Sequence, residues 1–343
     1  MKIYIYSEYQ RWIEHSGIGR AIYHQKNAIA RAEGIWPTDK KEDADVIHIN
    51  TIFPGSVLMA LWAKRHGKRV VFHAHSTRED FKNSFIGSNI MANMFGKWLV
   101  FCYQLGDVII TPSEYSKALL VSQGITKPVF VLSNGIDLDY YHKKSDDRKR
   151  FREKYGYSEN DKVVMSAGLW IKRKGILDFI EMAKRMPQYQ FIWFGDSNLW
   201  SVPAEIRRGI RSNLPNLHFA GYVSKEELRL AYAGSDLFCF PTYEETEGIV
   251  ILEALAMKTP VLVRDIPVYK NWLAHGKNVY TFKNGQQACE QMKAMLEGDA
   301  ADLTDAGYQV AAKRSMAQIG MKLREIYKTT YLYRNIRSYP EEI

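Results

Sequence analysis

Residues 237–263 read LFCFPTYEETEGIVILEALAMKTPVLV, and this block carries the clearest fold signal in the chain. Its first four residues, Leu237–Phe240, are apolar and predict a buried strand. A polar turn then leads into an apolar helix whose first turn is Gly248-Ile249-Val250. Another apolar run, Val261–Val263, predicts a second strand. A strand, a helix and a strand in this order indicate a parallel sheet with crossover helices.

The same alternation of strands and helices extends from this block toward the start of the chain. The strand candidates form two sets of five: Lys2–Tyr6, Val46–Asn50, Arg69–His73, Val108–Thr111 and Val129–Leu132, then Val163–Ala167, Gln190–Phe194, Leu217–Ala220, Leu237–Phe240 and Val261–Val263. The polar stretch 139–162 separates the sets and has no strand signal. A chain of 343 residues is also long enough for two domains. We therefore predict an α/β protein with two doubly wound sheets.

Composition and charge narrow the classes of function. The chain has 47 basic and 38 acidic residues, a net charge of +9, and the excess is larger in its first 150 residues, which suits an anionic partner. Patterns typical of nucleic-acid-binding domains are missing from the sequence. Cys102, Cys239 and Cys289 are far apart and outside metal-ligand spacing, so neither disulfides nor a zinc site is indicated.

Two features of the sequence bear on membranes and location. No apolar run approaches the ~18 residues that cross a bilayer. The first residues, Met1–Tyr6, enter a strand pattern directly instead of the apolar core of a secretory signal. We therefore predict a cytoplasmic protein without a membrane span.

In parallel sheets, functional residues lie in the loops that follow the strands. After the first strand comes Ser16-Gly17-Ile18-Gly19-Arg20, where glycines would let amides at a helix start approach a phosphate. The spacing is not GxGxxG, which disfavours a nicotinamide dehydrogenase. A simple flexible turn is an equal alternative.

Two histidines stand at the end of the third strand, His73 as its last residue and His75 two residues later, and they point to the same face. They could ligate a metal, but no third ligand is evident from the sequence. The favoured role is hydrogen bonding at the end of the strand, and packing of two structural histidines is the alternative.

Two glutamates stand at the helix of the opening block, one just before it and one about two turns into or along it. Glu245 precedes the helix and Glu253 follows eight residues later. The first amides of the helix are available to a diphosphate, and the carboxylates would accept hydrogen bonds from sugar and ribose hydroxyls. In the alternative, Glu245 caps the helix and Glu253 pairs on its surface, although a surface glutamate among apolar residues is unusual.

Together these motifs resemble glycosyltransferase family 4, whose fold is GT-B. The resemblance rests on the Glu-x7-Glu pattern of the opening block, on Ser133–Asp137, on Ala167–Gly175 and on Phe219–Ser224, and it covers nearly the whole chain. It implies two doubly wound Rossmann-like domains facing a central cleft. Residues 1–142 would bind the acceptor and residues 158–320 the nucleotide sugar. A C-terminal helix, about 321–343, would pack back on the first domain.

The resemblance also implies roles for individual residues. Lys174, with Arg173 beside it, would neutralise the diphosphate as the bond to the sugar breaks, and Glu245 would orient the sugar. His75 would contact the donor hexose, with His73 as the second candidate. The implied catalytic residues are His75, Lys174 and Glu245, and the implied donor-binding residues are Gly17, Gly19, Arg173, Tyr222, Gly248, Ile249, Val250 and Glu253, of which Tyr222 would bind the base and Glu253 the ribose.

This chain departs from the family pattern at one position. Many relatives have an arginine directly after the glycine of the Ala167–Gly175 motif, where this chain has Leu169. Either Lys172 or Arg173 replaces that charge, or the diphosphate site is weaker.

The family chemistry implied is retaining, with the leaving phosphate taking the proton of the acceptor, so that no metal or other cofactor is required. Two Asp-x-Asp strings, Asp43-Ala44-Asp45 and Asp137-Leu138-Asp139, fit the metal motif of other transferases. The first precedes a strand and the second follows a turn at the linker, so both are expected to be structural.

The acceptor is indicated by residues 82–106, a helical stretch rich in Phe, Met and Trp. Such a helix could dip into an anionic membrane surface, or it could be an ordinary core helix. The region His75–Phe85 also resembles bacterial enzymes that glycosylate diacylglycerol or monoglycosyl-diacylglycerol.

By that resemblance, the protein would be peripheral to the inner face of the cell membrane and would transfer a hexose from UDP-glucose or UDP-galactose to a glycolipid acceptor. Two alternatives stay open: a family-4 transferase with a soluble or cell-wall polysaccharide acceptor, and a non-catalytic sugar-nucleotide-binding module at the membrane surface.

Overall fold

The computed structural model describes residues 1–9 and 16–332. The chain forms two units, each made from separate chain segments. The first unit contains Met1–Glu79, Met91–Asp137 and the described residues from Arg314 to Leu332, and the second contains Asp80–Ile90 and Leu138–Lys313. Each unit is built on one sheet.

The first unit is a six-stranded parallel sheet in the order β2-β1-β3-β4-β5-β6. Its strands are β1 (Lys2–Tyr6), β2 (Trp36–Pro37), β3 (Val46–Ile49), β4 (Arg69–His73), β5 (Val108–Thr111) and β6 (Val129–Val131). The helices along this part of the chain are α1 (Gly17–Ala30), α2 (Pro54–Arg65), α3 (Arg78–Phe81), α4 (Ser88–Gln104) and α5 (Glu114–Ser122).

The second unit has a six-stranded parallel sheet in the order β12-β11-β10-β7-β8-β9. Its strands are β7 (Val163–Ala167), β8 (Gln190–Phe194), β9 (Leu217–Gly221), β10 (Leu237–Phe240), β11 (Val261–Arg264) and β12 (Tyr280–Phe282). The helices are α6 (Asp147–Tyr155), α7 (Ile176–Arg185), α8 (Ala204–Ile210), α9 (Lys225–Gly234), α10 (Ile249–Ala256), α11 (Gly285–Glu297) and α12 (Thr304–Ala312).

The central strands are buried on both faces. Every residue of β3, β5, β7, β10 and β11 is buried. Strands covered by helices on both sides are expected to be continuous apolar runs instead of alternating ones. This is why the sequence predicts them well and why the prediction of two doubly wound parallel sheets is confirmed.

The described residues contain twelve strands where the sequence predicts ten. The additional strands are β2 and β12, one at an edge of each sheet. They have only two and three residues, which is too short to produce a periodic apolar signal.

The last helix, α13 (Met316–Leu332), belongs to the first unit and packs against α1. A Cβ at Gly320 would lie 2.4 Å from the carbonyl oxygen of Ala28, so the two helices approach closely where glycine leaves room. The helix begins before the predicted range of 321–343, and residues 333–343 lie outside the described residues. None of the helices in the described part of the chain is long and apolar enough to cross a membrane.

Candidate active site

A buried ion pair joins two loops of the second unit. Lys174, in the loop after β7, donates from Nζ to Oε1 of Glu245 over 2.5 Å. Glu245 follows β10, and the hydroxyl of Thr242 donates to the same oxygen over 2.8 Å. The side chains of the lysine and the glutamate are 16% and 8% exposed. The structure thus brings together two of the three residues that the sequence predicts to be catalytic.

Burial and pairing shift the proton affinities of both groups. Burial lowers the pKa of Lys174, while the Glu245 carboxylate works in the opposite direction. Burial alone would raise the pKa of Glu245, but Lys174 and Arg173 together hold that pKa below its usual value. Glu245 is therefore ionised at neutral pH and can only accept hydrogen bonds.

Arg173 adds a second cation to this pair. Its Nη1 donates to the carbonyl oxygen of Glu244 over 2.8 Å and lies 4.0 Å from Oε1 of Glu245. Lys172 lies elsewhere, 3.4 Å from Glu205 in a half-exposed pair. Of the two cations that could replace the arginine of many relatives, it is Arg173 that lies beside Glu245. Leu169, at the arginine position itself, is half exposed.

Two glycines allow Lys174 to reach this position. Gly175 has φ +75°, and a Cβ there would lie 2.2 Å from the carbonyl oxygen of Pro241. The backbone after Lys174 therefore touches the backbone of the Glu245 loop. The side chain of Lys174 packs over Gly168, where a Cβ would lie 3.4 Å from Cδ of the lysine.

Helix α10 begins directly after the Glu245 loop. Gly248 is its N-cap with φ +96°, a left-handed conformation that favours glycine. The amides of Ile249 and Val250 stand in the first turn, where no helix-internal acceptor exists and the helix dipole is positive. The N-cap is Gly248 and not Glu245, and the carboxylate of Glu245 accepts from Lys174 and Thr242. The first turn is thus suited to an anion.

Glu253 lies inside the second unit instead of on its surface. Its side chain is fully buried, its Oε1 accepts from the hydroxyl of Tyr141 over 2.7 Å, and its Oε2 accepts from Tyr232 over 2.9 Å. The alternative of surface pairing is therefore wrong. Each carboxylate oxygen has more than one lone pair, so these bonds do not exhaust its capacity to accept.

Three glycine-containing loops meet at the carboxyl ends of β7, β8 and β9. The amide of Gly195 donates to the carbonyl oxygen of Gly221 over 2.7 Å. A Cβ at Gly195 would lie 2.4 Å from the carbonyl oxygen of Gly168. Tyr222, the predicted base-binding residue, comes next and is half exposed. Sequence reasoning missed Gly195, although a glycine directly after a strand was a usable signal.

The predicted His75 belongs to the first unit, two residues beyond the end of β4. Its Nε2 lies 2.8 Å from Oδ1 of Asn50, and its ring stacks on that of His73 with centroids 4.2 Å apart. Burial lowers the pKa of His75 to about 3, so the ring is neutral at physiological pH and serves as a hydrogen-bonding group. The ring of His48, on β3, also stacks on that of His73, with centroids 5.3 Å apart. Sequence reasoning missed it because it comes from a different strand.

The glycines of the first unit stand at the start of α1, which begins at Gly17. The amide of Gly19 donates to the Ser16 hydroxyl over 3.3 Å, so that amide is already used as part of the cap. The amide of Gly17 lies two residues earlier, at the first position of the helix, where the helix offers no acceptor.

One aspartate from each Asp-x-Asp string makes a structural contact in the first unit, the first with a backbone amide and the second with an arginine. Asp45 accepts from the backbone amide of Lys2 over 2.7 Å, and Asp137 pairs with Arg31 over 3.3 Å. Within residues 1–9 and 16–332, no group of three or more His, Cys, Asp or Glu side chains is arranged to hold a metal ion.

Two cations, a carboxylate and free amides within one unit suit a ligand that carries both phosphates and hydroxyls. A family model described as Glycosyltransferase Family 4 matches residues 10–140, and one described as Glycosyl transferases group 1 matches residues 147–310. The chain belongs to glycosyltransferase family 4, as its sequence motifs predict.

Individual relatives narrow the comparison. The chain is 40% identical over 331 residues to the processive diacylglycerol alpha-glucosyltransferase of Acholeplasma laidlawii, covering 96% of this chain and 98% of that protein. It is 30% identical over 260 residues to the alpha-galactosylglucosyldiacylglycerol synthase of Streptococcus pneumoniae, covering 74% of this chain and 69% of that protein.

Solved structures confirm the predicted GT-B fold. Anabaena Alr3699/HepE, whose crystal structure is a complex with UDP-glucose, matches with a TM-score of 0.78 over 96% of this chain and 99% of that chain. The two sequences are 18% identical, so the likeness is one of fold.

Proposed function

We propose that this protein transfers a hexose, glucose or galactose, from a UDP-sugar to a membrane glycolipid acceptor such as diacylglycerol or glucosyl-diacylglycerol, with retention of configuration. The observation that carries the proposal is the buried pair of Lys174 and Glu245 beside the first turn of α10. The acceptor class is supported by the two relatives, both named for diacylglycerol glycolipids.

Lys174 and Arg173 are assigned to the leaving diphosphate. Breaking the bond between the sugar and the β-phosphate leaves negative charge on the phosphate oxygens, and fixed cations in a water-poor site stabilise that charge. The amides of Ile249 and Val250 and the left-handed Gly248 contribute from the start of α10. As the ammonium of Lys174 turns toward the phosphate, Glu245 becomes available to accept hydrogen bonds from sugar hydroxyls.

The rest of the nucleotide is assigned to two residues of the second unit. Tyr222 presents a half-exposed ring to the base, and Glu253 accepts from the ribose. Because both oxygens of Glu253 already accept from tyrosines, we propose that a ribose hydroxyl shares or replaces the bond from Tyr141 or Tyr232.

In the first unit, we propose that Gly17 and Gly19 bind the diphosphate through the start of α1, with the amide of Gly19 exchanging the Ser16 hydroxyl for a phosphate oxygen. His75 is assigned to a hydroxyl of the donor hexose. His75 is neutral, which suits a hydroxyl better than a phosphate. We also propose that residues 1–142 bind the acceptor and that residues 158–320 bind the donor.

The proposed reaction is a same-face displacement. The acceptor hydroxyl oxygen bonds to the anomeric carbon on the face from which UDP departs, while the bond from that carbon to the phosphate oxygen breaks. The acceptor proton passes to the departing phosphate oxygen, so charge and atoms balance without a separate base, metal or other cofactor.

A transfer assay tests this function. Purified protein is incubated with UDP-glucose or UDP-galactose, with or without vesicles containing diacylglycerol or glucosyl-diacylglycerol, and released UDP and glycolipid product are measured. We expect UDP release with one donor that depends on the lipid. Release with soluble sugars and none with lipid would overturn the acceptor, and donor binding without turnover would overturn the enzyme assignment.

A membrane-facing surface is supported by α4 and α2. Apolar side chains on α4 are exposed at helical spacing, at Met94, Trp98 and Phe101, with Lys97 between them. On α2, Leu58 is exposed in the same way. Both helices cover one face of the sheet. Nε1 of Trp98 donates over 2.7 Å to the carbonyl oxygen of Ile52, which lies two residues before the start of α2. We propose that this face lies on the anionic inner surface of the cell membrane.

Met94→Glu is expected to lower binding to anionic vesicles by about tenfold, because a carboxylate would be pressed against an apolar, negatively charged interface. Sedimentation with the vesicles measures it. Met321→Glu is the matched control, since Met321 is also an exposed methionine on a helix of the first unit. Binding should weaken as salt rises, and binding that Met94→Glu does not change would exclude this face.

A further inference from the structure

A chain of buried polar side chains in the first unit connects His75 to the last helix. From His75 the chain passes through Asn50, Gln25 and His48 to Tyr327 on α13. The links are 2.8 Å from His75 Nε2 to Asn50 Oδ1, 2.9 Å from Asn50 Nδ2 to Gln25 Oε1, 2.9 Å from Gln25 Nε2 to His48 Nε2, and 2.5 Å from His48 Nδ1 to the Tyr327 hydroxyl.

The orientation that the structure gives the amides of Asn50 and Gln25 sets the direction of every link. An amide nitrogen donates twice and accepts nothing. Gln25 Nε2 lies 2.9 Å from His48 Nε2, the closer of its contacts with that ring, and 3.1 Å from His73 Nδ1. Both imidazole nitrogens must therefore carry lone pairs, and the Gln25 oxygen accepts from Asn50.

The same argument places the protons of His75 and His48, at the two ends of the series of hydrogen bonds. Because the nitrogen of Asn50 faces Gln25, its oxygen faces His75, and Nε2 of His75 must carry the proton. At the other end, the proton of His48 lies on Nδ1 and is donated to the Tyr327 hydroxyl. Burial lowers the pKa of His48 and of His75 to about 3, so each ring holds one proton and not two.

We propose that Asn50, Gln25, His48 and Tyr327 are positioning residues that hold His75 as its Nε2–H tautomer, leaving Nδ1 as an acceptor for a hydroxyl of the donor hexose. The contact with the hexose rests on the proposed function, whereas the tautomer does not. The arrangement selects a sugar with a hydroxyl at that position, because a fluorine or an ether oxygen there has no proton to donate.

His73 gives a second indication that a ligand binds next to this series of hydrogen bonds. With its Nδ1 accepting from Gln25, its proton lies on Nε2, a buried atom without a hydrogen-bond partner in the described part of the chain. A buried donor without an acceptor is unfavourable, and the ring is stacked parallel to that of His75. An oxygen of a bound ligand near the two rings would supply the missing acceptor.

The proposal predicts that a change at Tyr327 alters the tautomer of His75, at the opposite end of the series of hydrogen bonds. In Tyr327→Phe, the Nδ1–H of His48 loses its acceptor inside the core. The proton then moves to Nε2 and Gln25 turns its oxygen toward it. Because the same oxygen then faces Nδ1 of His73, the proton of His73 moves from Nε2 to Nδ1. Asn50 turns its nitrogen toward His75, and the proton of His75 moves to Nδ1. A tyrosine that served only packing would leave the tautomer of His75 unchanged.

Nitrogen NMR of the full chain with 15N-labelled histidine measures the tautomer directly, and the spectrum of His75→Gln assigns the His75 signals. We expect the Nε2–H form in the wild-type protein and a majority of the Nδ1–H form in Tyr327→Phe. Tyr331→Phe, which alters an exposed tyrosine one turn later on the same helix, should match the wild type. An Nδ1–H form in the wild-type protein would overturn the proposal without any variant, as would a tautomer that Tyr327→Phe does not move.

Activity separates this proposal from the proposed function. If His75 contacts the hexose, Tyr327→Phe should also lower kcat/KM for the UDP-sugar about tenfold, the value of one hydrogen bond. A changed tautomer with unchanged kcat/KM would support the positioning chain and exclude the contact of His75 with the donor.

Discussion

Lys174→Met is expected to lower kcat by about 100- to 1,000-fold, since it removes a fixed positive charge from the departing phosphate. Methionine keeps most of the length of the lysine side chain, so the space beside Gly168 and Phe240 stays filled. Steady-state transfer kinetics measure the effect, and kcat should fall more than KM rises, because the charge acts mainly on the transition state.

The same substitution should also lower stability. It leaves Glu245 buried with Arg173 and Thr242 as its remaining partners, and removing one member of a buried ion pair costs about 3–5 kcal/mol. Thermal unfolding should therefore be recorded beside the kinetics, which must be measured where the variant is folded.

Lys172→Met is the matched control for Lys174→Met. It removes a lysine two residues earlier whose partner, Glu205, is half exposed, and such surface pairs contribute about 1 kcal/mol or less. Its kcat should be near that of the wild type. Equal losses in the two variants, or near-normal turnover in Lys174→Met, would remove Lys174 from its assigned role.

Gly175→Ala is expected to lower the free energy of unfolding by about 2–5 kcal/mol, from left-handed backbone strain together with overpacking. The new methyl group would lie 2.2 Å from the carbonyl oxygen of Pro241, so the Glu245 loop has to move away from Lys174. Donor affinity should fall with stability because the two halves of the ion pair separate. Denaturant unfolding and UDP titration measure the two effects.

Gly156→Ala isolates the backbone part of this effect, so its difference from Gly175→Ala gives the steric part. Gly156 has φ +74°, nearly the value at Gly175, but nothing lies within 4 Å of a Cβ there. It should cost about 1–2 kcal/mol for the left-handed backbone alone and leave UDP binding unchanged. Equal losses in the two variants would mean that the approach to Pro241 does not position the Glu245 loop.

The central strands and the pair of Lys174 and Glu245 could be predicted for a common reason. The strands are apolar on both faces, and both site residues come from loops directly after predicted strands. Their motifs are local in sequence, although 71 residues separate the lysine from the glutamate. Family resemblance then assigned both residues to one donor site, and the ion pair between them was found only in the structure.

Partners that come from distant segments could not be predicted. The tyrosines that bind Glu253 lie 112 and 21 residues away, and only the fold brings them to it. His48 could not be predicted because no local sequence pattern distinguishes a histidine inside an apolar strand. The edge strand β2 was missed since its two residues are exposed and lack the apolar pattern of a covered strand.

The interleaved segments of the two units affect the order of folding during synthesis. Helix α13 contributes Met316, Ile319, Leu323 and Ile326 to the core that contains Ile3 and Ala28. These residues leave the ribosome only after all of the second unit has been made. Synthesis of the first unit therefore begins first, but its core is completed last, when α13 packs against α1. Until then the nascent chain exposes an apolar groove along α1 that chaperones can recognise.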